Sequence, residues 1–258
     1  MRYLALIQYV GTDFFGYQVQ PNKRTVQGEL CRSLAALFGC PCRVTGCSRT
    51  DRGVHAEEFC VLIEPEDAAH ASIPPEKLPL ALAVHLPEDI SLIFCMQAPL
   101  DFHPRYAALG KVYRYDIWNA PVRNPLLSDR AGHYPRYLDE AALSRMQQAA
   151  DLLVGQHDFA AFMADGSTIV DTVRTIFSCR CEREGEMIHI YVHGDGFLYN
   201  MVRIIVGTLL SVAVEKTEPE DVAIILREKK RVLAGMTAPA HGLTLAHVIY
   251  PDGLLLRS

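Results

Sequence analysis

The order of strand and helix patterns constrains the fold of this 258-residue chain more than any other feature. Segments whose apolar residues alternate, as in a strand, are interspersed with segments whose apolar residues recur once per helical turn. They do not keep the strict succession of strand and helix that a doubly wound parallel sheet requires. The sequence therefore predicts an α+β fold with a mixed or antiparallel sheet.

The ends of some elements can be predicted from single residues. Apolar side chains recur at helical spacing between Val26 and Leu37, with Thr25 as a possible N-cap and Gly39 as the stop. Asp139 can cap a second helix that we expect to end at Val154. Further strand patterns cover residues 3–10, 42–48, 58–64, 90–98, 111–119, 172–183, 186–194 and 243–250, and further helix patterns cover residues 74–87, 196–214 and 218–230. The weakest connection lies around residues 97–108, so we expect an N-terminal lobe over residues 1–104 and a C-terminal lobe over residues 105–258.

Composition argues against several classes of protein. The apolar runs are too short for a membrane span, and the first residues fit a strand of a cytoplasmic protein better than a signal peptide. The eight cysteines form no C-x-x-C pair, so we expect neither a metal site nor a disulfide framework. The formal charge of −5 argues mildly against a nucleic-acid partner, although a local basic patch remains compatible with it.

The segment GCSRTDRGVHA, residues 46–56, concentrates charge around one carboxylate. In an extended segment Arg49 and Asp51 share a face, and the guanidinium then favours the ionised carboxylate and orients it. Such an aspartate can act as a nucleophile or general base. The alternative is a solvated turn with an exposed ion pair, and these residues alone do not decide between the two.

Two further segments hold candidate residues. Tyr113 and Tyr115 share a face of the strand pattern KVYRYDIWN, where each could stack on a base or fill the core. Arg203 interrupts an otherwise apolar helix and needs a partner, which could be Asn200 on a narrow polar face or a distant carboxylate such as Asp51. Neither a Gly-rich phosphate loop nor a G-x-S-x-G elbow occurs.

Taken together, these segments resemble the tRNA pseudouridine synthase A family over almost the whole chain. Eight blocks occur in the family's order: FFGYQVQ, RTVQGEL, SRTDRGVHA, DFHPRY, KVYRYDIWN, HDFAAF, FLYNMVRIIVG and TAPAHGLTL. The resemblance implies isomerisation of uridine to pseudouridine on the 3′ side of the tRNA anticodon stem-loop (positions 38–40), without metal or other cofactor. It also implies a pseudouridine synthase fold, with two ferredoxin-like lobes sharing a mixed, mostly antiparallel sheet, and a homodimer that binds tRNA.

The resemblance also implies roles for individual residues. Asp51 matches the catalytic aspartate, and Tyr113 matches the tyrosine that stacks on the target base. Arg49 matches an arginine associated with base flipping, and Arg203 matches one that pairs with the aspartate. Leu243 matches an apolar residue against the base.

The chain departs from the family's pattern in two respects. Arg52 stands where the family often has alanine, so it either contacts tRNA phosphate or faces solvent. The acidic net charge requires a local concentration of basic residues, for which the candidates are Lys23, Arg24, Arg105, Lys111, Arg114 and the run from Arg227 to Arg231.

Two other functions compete with this one. A tRNA-binding module with a degenerate site would bind without turnover, and the intact R-T-D block argues against it. An aspartate-dependent hydrolase would need a second carboxylate or a metal, for which we find no motif.

Overall fold

A computed structural model describes residues 1–67, 73–166 and 168–254 of the chain. The chain divides into two compact units. The first unit contains Met1–Leu109 and the described residues from Leu245 onward, and the second contains Gly110–Thr244.

The first unit has a sheet in the order β4-β1-β3-β10, in which the pairs β4-β1 and β1-β3 are antiparallel and β2 also pairs antiparallel with β3. Its strands are β1 (Tyr3–Tyr9), β2 (Cys42–Gly46), β3 (His55–Pro65), β4 (Ile90–Gln97) and β10 (Leu243–Ile249), of which β10 begins in the second unit. Helix α1 (Val26–Phe38) packs on β2, and the short helix α2 (Leu78–Ala83) packs on β4.

The predicted ends of α1 are confirmed. The side-chain oxygen of Thr25 accepts a hydrogen bond from the amide of Gly28 at 3.2 Å, which satisfies a donor that the first helical turn leaves open. Gly39 ends the helix with φ 70°, in the left-handed conformation that glycine adopts at little cost.

The second unit has strands in the order β5-β9-β8-β7, all antiparallel, with β6 parallel to β5. These strands are β5 (Gly110–Trp118), β6 (Gly132–His133), β7 (Gly155–Asp158), β8 (Val173–Glu184) and β9 (Met187–Gly194). The helices are α3 (Glu140–Asp151), α4 (Met201–Ala213) and α5 (Asp221–Glu228), and α3 packs on both α4 and β8. The predicted hairpin is present, since β8 and β9 are joined through Gly185 with φ 59°.

The α+β class with a mixed, mostly antiparallel sheet is confirmed. Two strands were not predicted, because β6 and β7 are too short to show an alternation. The second predicted helix, α3, ends at Asp151 rather than Val154. None of the helices in the described part of the chain is long and apolar enough to cross a membrane.

Candidate active site

The loop between β2 and β3, residues 47–54, carries Asp51 and is defined here as the Asp51 loop. Its backbone turns back on itself, because the amide of Val54 donates to the carbonyl of Asp51 at 3.2 Å. Thr50 is buried, and its hydroxyl lies 2.7 Å from the hydroxyl of Tyr9 on β1. Asp51 itself is half-buried. The contacts of Thr50 and Val54 hold the backbone that carries its carboxylate.

A second loop, residues 11–17, holds the Asp51 loop on both sides of the aspartate. The amide of Tyr17 donates to the carbonyl of Thr50 at 3.1 Å, and the amide of Gly53 donates to the carbonyl of Phe14 at 3.4 Å. Gly16 has φ +84°, and a Cβ on it would lie 2.6 Å from the Thr50 oxygen. Only glycine therefore allows this approach without displacing the backbone beside Asp51.

His55 is a structural residue of the same loop system. It is buried, and its Nδ1 accepts a hydrogen bond from the amide of Gly11 at 3.0 Å. A nitrogen that accepts from an amide carries no proton, so the neutral ring carries its proton on Nε2. Within the described residues, no group of three histidine, cysteine, aspartate or glutamate side chains could hold a metal ion.

The charged residues near Asp51 have different surroundings. Arg49 is exposed. The guanidinium of Arg52 lies 4.3 Å from the ring centre of Phe15, whose ring is also contacted by the ammonium of Lys23 at 4.4 Å. Arg52 is exposed and makes a cation–π contact with Phe15, so its charge lies at the surface, and a contact with tRNA phosphate stays a prediction.

Several of the other basic candidates are engaged within their own unit. Arg24 pairs with Asp89 at 2.6 Å, and the hydrogen bond to that carboxylate raises the pKa of Arg24. Arg114 pairs with Asp116 at 2.9 Å, and Arg231 donates to the carbonyl of Gly235 at 2.9 Å. The ammonium of Lys229 lies 2.7 Å from Asp158. These contacts favour a structural role for four of the candidates.

The two tyrosines of β5 are distinguished by their partners. Tyr115 is buried and donates its hydroxyl to the carbonyl of Pro239 at 2.9 Å, and burial raises its pKa. It is therefore a core residue. Tyr113 is also buried, with 7% of its surface exposed, and its ring packs edge to face on Phe197, with ring centres 5.1 Å apart and planes at 85°. Phe197 was not singled out from the sequence, although it lies in the block that contains Arg203.

Arg203 lies in the first turn of α4 and is held within the second unit. Its Nη1 donates to the side-chain oxygen of Asn200 at 2.6 Å, and its Nε donates to the carbonyl of Ala238 at 2.6 Å. The alternative of a narrow polar face shared with Asn200 is present in the structure, and pairing with Asp51 stays a prediction. Leu243 is buried at the start of β10. The first unit thus carries Arg49 and Asp51, and the second carries the other three candidates.

Comparison with known proteins identifies the family. The sequence profile of the family described as tRNA pseudouridine synthase matches residues 5–107 and 149–251. The chain belongs to the tRNA pseudouridine synthase family. A protein named tRNA pseudouridine synthase A from Caldicellulosiruptor saccharolyticus is 42% identical over 247 residues, covering 96% of this chain and 98% of the relative. Proteins of the same name from Geobacillus kaustophilus and Shouchella clausii are 41% and 44% identical, covering 100% and 99% of this chain and 97% and 96% of their own lengths.

Proposed function

We propose that this chain isomerises uridine to pseudouridine in the anticodon stem-loop of tRNA, with Asp51 as the catalytic carboxylate and without a cofactor. The observation that carries the proposal is the Asp51 loop. Backbone hydrogen bonds with Tyr17 and Phe14 hold this loop, and the chain that contains it belongs to this family. A catalytic group that is held in position before the substrate binds loses less entropy in the reaction, and these contacts restrain the backbone that carries Asp51.

The chemistry explains why an aspartate is needed. The bond between N1 of uracil and C1′ of the ribose breaks, the uracil turns, and a new bond joins C5 to C1′. The hydrogen on C5 leaves as a proton and N1 takes up a proton from solvent, so the product is an isomer of the substrate. A carboxylate can attack the sugar or take a proton from it, and it needs no metal for either step. The uridine must first leave the base stack, which costs about a few kcal/mol that contacts in the site restore.

We assign the remaining roles from the family resemblance. Arg49 assists base flipping, Tyr113 stacks on the target base, and Leu243 contacts the base with its apolar side chain. Exposure of Arg49 supports its assignment, because a residue that enters the RNA must be accessible. The edge contact with Phe197 supports the assignment of Tyr113, because it fixes the orientation of the ring.

The function is tested with tRNA that contains tritium at C5 of uridine. The chain should release tritium, and tRNA from cells that lack the protein should lose pseudouridine in the anticodon stem-loop. Binding of tRNA without release of tritium would contradict the proposal and favour a binding module.

Replacing Tyr113 tests its role in stacking. Tyr113→Phe keeps the aromatic face and should retain most of the activity at saturating RNA. Tyr113→Ala should lose about 10- to 100-fold in kcat/KM, since stacking of a base on an aromatic side chain is worth about 1–3 kcal/mol. Tyr115→Phe serves as the control for the neighbouring core tyrosine. It should lower the melting temperature and leave kcat/KM close to that of the wild type. Equal kcat/KM values for Tyr113→Ala and the wild type would contradict the assignment.

A homodimer and a cytoplasmic location complete the proposal, and the resemblance supports both. Light scattering should give twice the chain mass of 28.8 kDa. A mass equal to that of one chain at micromolar concentration would contradict the dimer.

A further inference from the structure

The first unit contains a pocket of about 480 Å³ beside the Asp51 loop. Its walls come from α1, β2, the start of the Asp51 loop and residues 103–106. Arg49, the arginine assigned to base flipping, is one of the lining residues. The pocket therefore opens next to the segment on which the proposed chemistry depends, yet neither Asp51 nor Tyr113 lines it.

The lining of this pocket is basic. Arg43, Arg49 and Arg105 line it and are exposed, and none of its described lining residues is a carboxylate. Glu64, which faces Arg43 across the strand pair, is engaged by Arg2 at 2.9 Å. Three arginines around one concave surface favour an anion, and guanidinium groups suit the oxygens of a phosphate. Among the described residues no ion pair involves these three arginines, so the pocket concentrates positive potential on an acidic chain.

The pocket also carries an exposed aromatic side chain. Tyr106 is 79% exposed, and its ring lies on that of His103 with centres 4.3 Å apart. The amide of Arg105 donates to Nδ1 of His103 at 3.2 Å, which holds the histidine ring beneath the tyrosine. One face of Tyr106 is thus backed by a ring, while most of the side chain is open. Exposed aromatic rings beside arginines are the usual means by which proteins bind unstacked RNA bases.

Tyr17, one of the residues that line the pocket, has a buried hydroxyl. Tyr17 is only 3% exposed, and its hydroxyl has no hydrogen-bond partner among the described residues. Its ring stacks on Phe59, and a Cβ on Gly46 would lie 2.7 Å from the hydroxyl oxygen. Burial raises the pKa of Tyr17 well above its ordinary value, so the group remains an O–H donor.

We propose that this pocket binds one unpaired nucleotide that flanks the target uridine, with its phosphate at Arg43 and Arg105 and its base on the open face of Tyr106. The proposal rests on the proposed function, since it takes the substrate to be a looped RNA. This pocket would hold a neighbouring nucleotide, and that contact remains in place while the target base is flipped out. Arg49 belongs to the Asp51 loop and also lines this pocket, so it connects the two sites.

The phosphate contacts are tested by binding of a fluorescently labelled anticodon stem-loop RNA. The double variant Arg43→Ala/Arg105→Ala should raise Kd at least tenfold, and the loss should appear in KM rather than in kcat. The dependence of log Kd on log salt should fall by about 0.7 for each lost contact with a single-strand phosphate. The matched control is Arg180→Ala, an exposed arginine on β8 outside the pocket, which should bind as the wild type does. Equal affinity of the double variant and this control would overturn the proposal.

The base contact is tested with the same RNA carrying 2-aminopurine on either side of the target uridine. Stacking quenches the fluorescence of this base, so one of the two positions should be quenched by the wild type and by Tyr106→Phe but not by Tyr106→Ala. Tyr106 is too exposed for its removal to unfold the unit. Equal quenching by Tyr106→Ala would overturn the placement of the base. A wild-type chain that releases no tritium would refute the proposed function, whereas an active wild type with unaffected pocket variants would refute this subsite alone.

Discussion

Replacing Asp51 by asparagine should reduce tritium release from tRNA by at least about 10⁴-fold, the upper end of what one positioned proton-transfer group contributes. The amide has nearly the same size as the carboxylate, but it is uncharged and neither attacks ribose nor accepts a proton at neutral pH. Since Thr50, Val54 and Gly53 hold the loop through groups that the substitution leaves intact, the fold should be unchanged. Rates are measured at saturating RNA under single-turnover conditions.

Binding and stability separate a chemical role of Asp51 from a structural one. The Kd for tRNA and the urea midpoint of Asp51→Asn should stay close to those of the wild type. Asp13→Asn removes an exposed carboxylate from the loop of residues 11–17, which holds the Asp51 loop and is called the supporting loop here. It serves as the matched control, with full activity expected. If Asp51→Asn retained the rate of this control, Asp51 would not be the catalytic carboxylate.

Gly16→Ala should lower the free energy of unfolding by about 2–5 kcal/mol, from left-handed backbone strain and overpacking together. The added methyl group would stand 2.6 Å from the carbonyl oxygen of Thr50 and 3.3 Å from the carbonyl carbon of Asp51. The backbone beside Asp51 must therefore move to make room. We expect kcat to fall more strongly than the affinity for tRNA, because catalysis depends on the position of the carboxylate.

The variant Gly166→Ala separates backbone strain from overpacking. Gly166 has φ +87°, almost the same as the +84° of Gly16, but its Cβ would meet no atom within 4 Å. This control should lose only about 1 kcal/mol, the cost of the left-handed conformation alone. Urea unfolding measures both variants, and equal losses would show that contact with the Asp51 loop contributes nothing.

Much of the fold could be predicted because its elements are encoded locally. Thr25 and Gly39 bound α1 through groups on the helix itself, and the alternation in residues 243–250 was sufficient to predict β10. By contrast, β7 is only four residues long, and it becomes a strand through its pairing with β8. Pairing between segments is a property of the folded chain, and a short segment carries no sign of it.

The site was predictable in chemistry more than in geometry. Alternation places Tyr113 and Tyr115 on one face of β5, but only their partners, Phe197 and the carbonyl of Pro239, separate the ring assigned to the base from the ring of the core. Arg52 could not be placed from its neighbours in sequence, because the aromatic ring that holds it, Phe15, belongs to another loop. The pocket of the first unit could not be predicted for the same reason, because its walls come from segments that lie far apart in sequence.

The supporting loop has one more consequence, which concerns motion. The amides of Val26 and Gln27, in the first turn of α1, donate to the carbonyls of Gly16 and Tyr17, while the amide of Tyr17 donates to Thr50 beside Asp51. The helix start, the supporting loop and the Asp51 loop are thus linked by consecutive backbone hydrogen bonds. Segments joined in this way open together, with one free energy of opening. We therefore expect the amides of Val26, Gln27 and Tyr17 to exchange together, so that the loop that carries Asp51 opens with the start of α1.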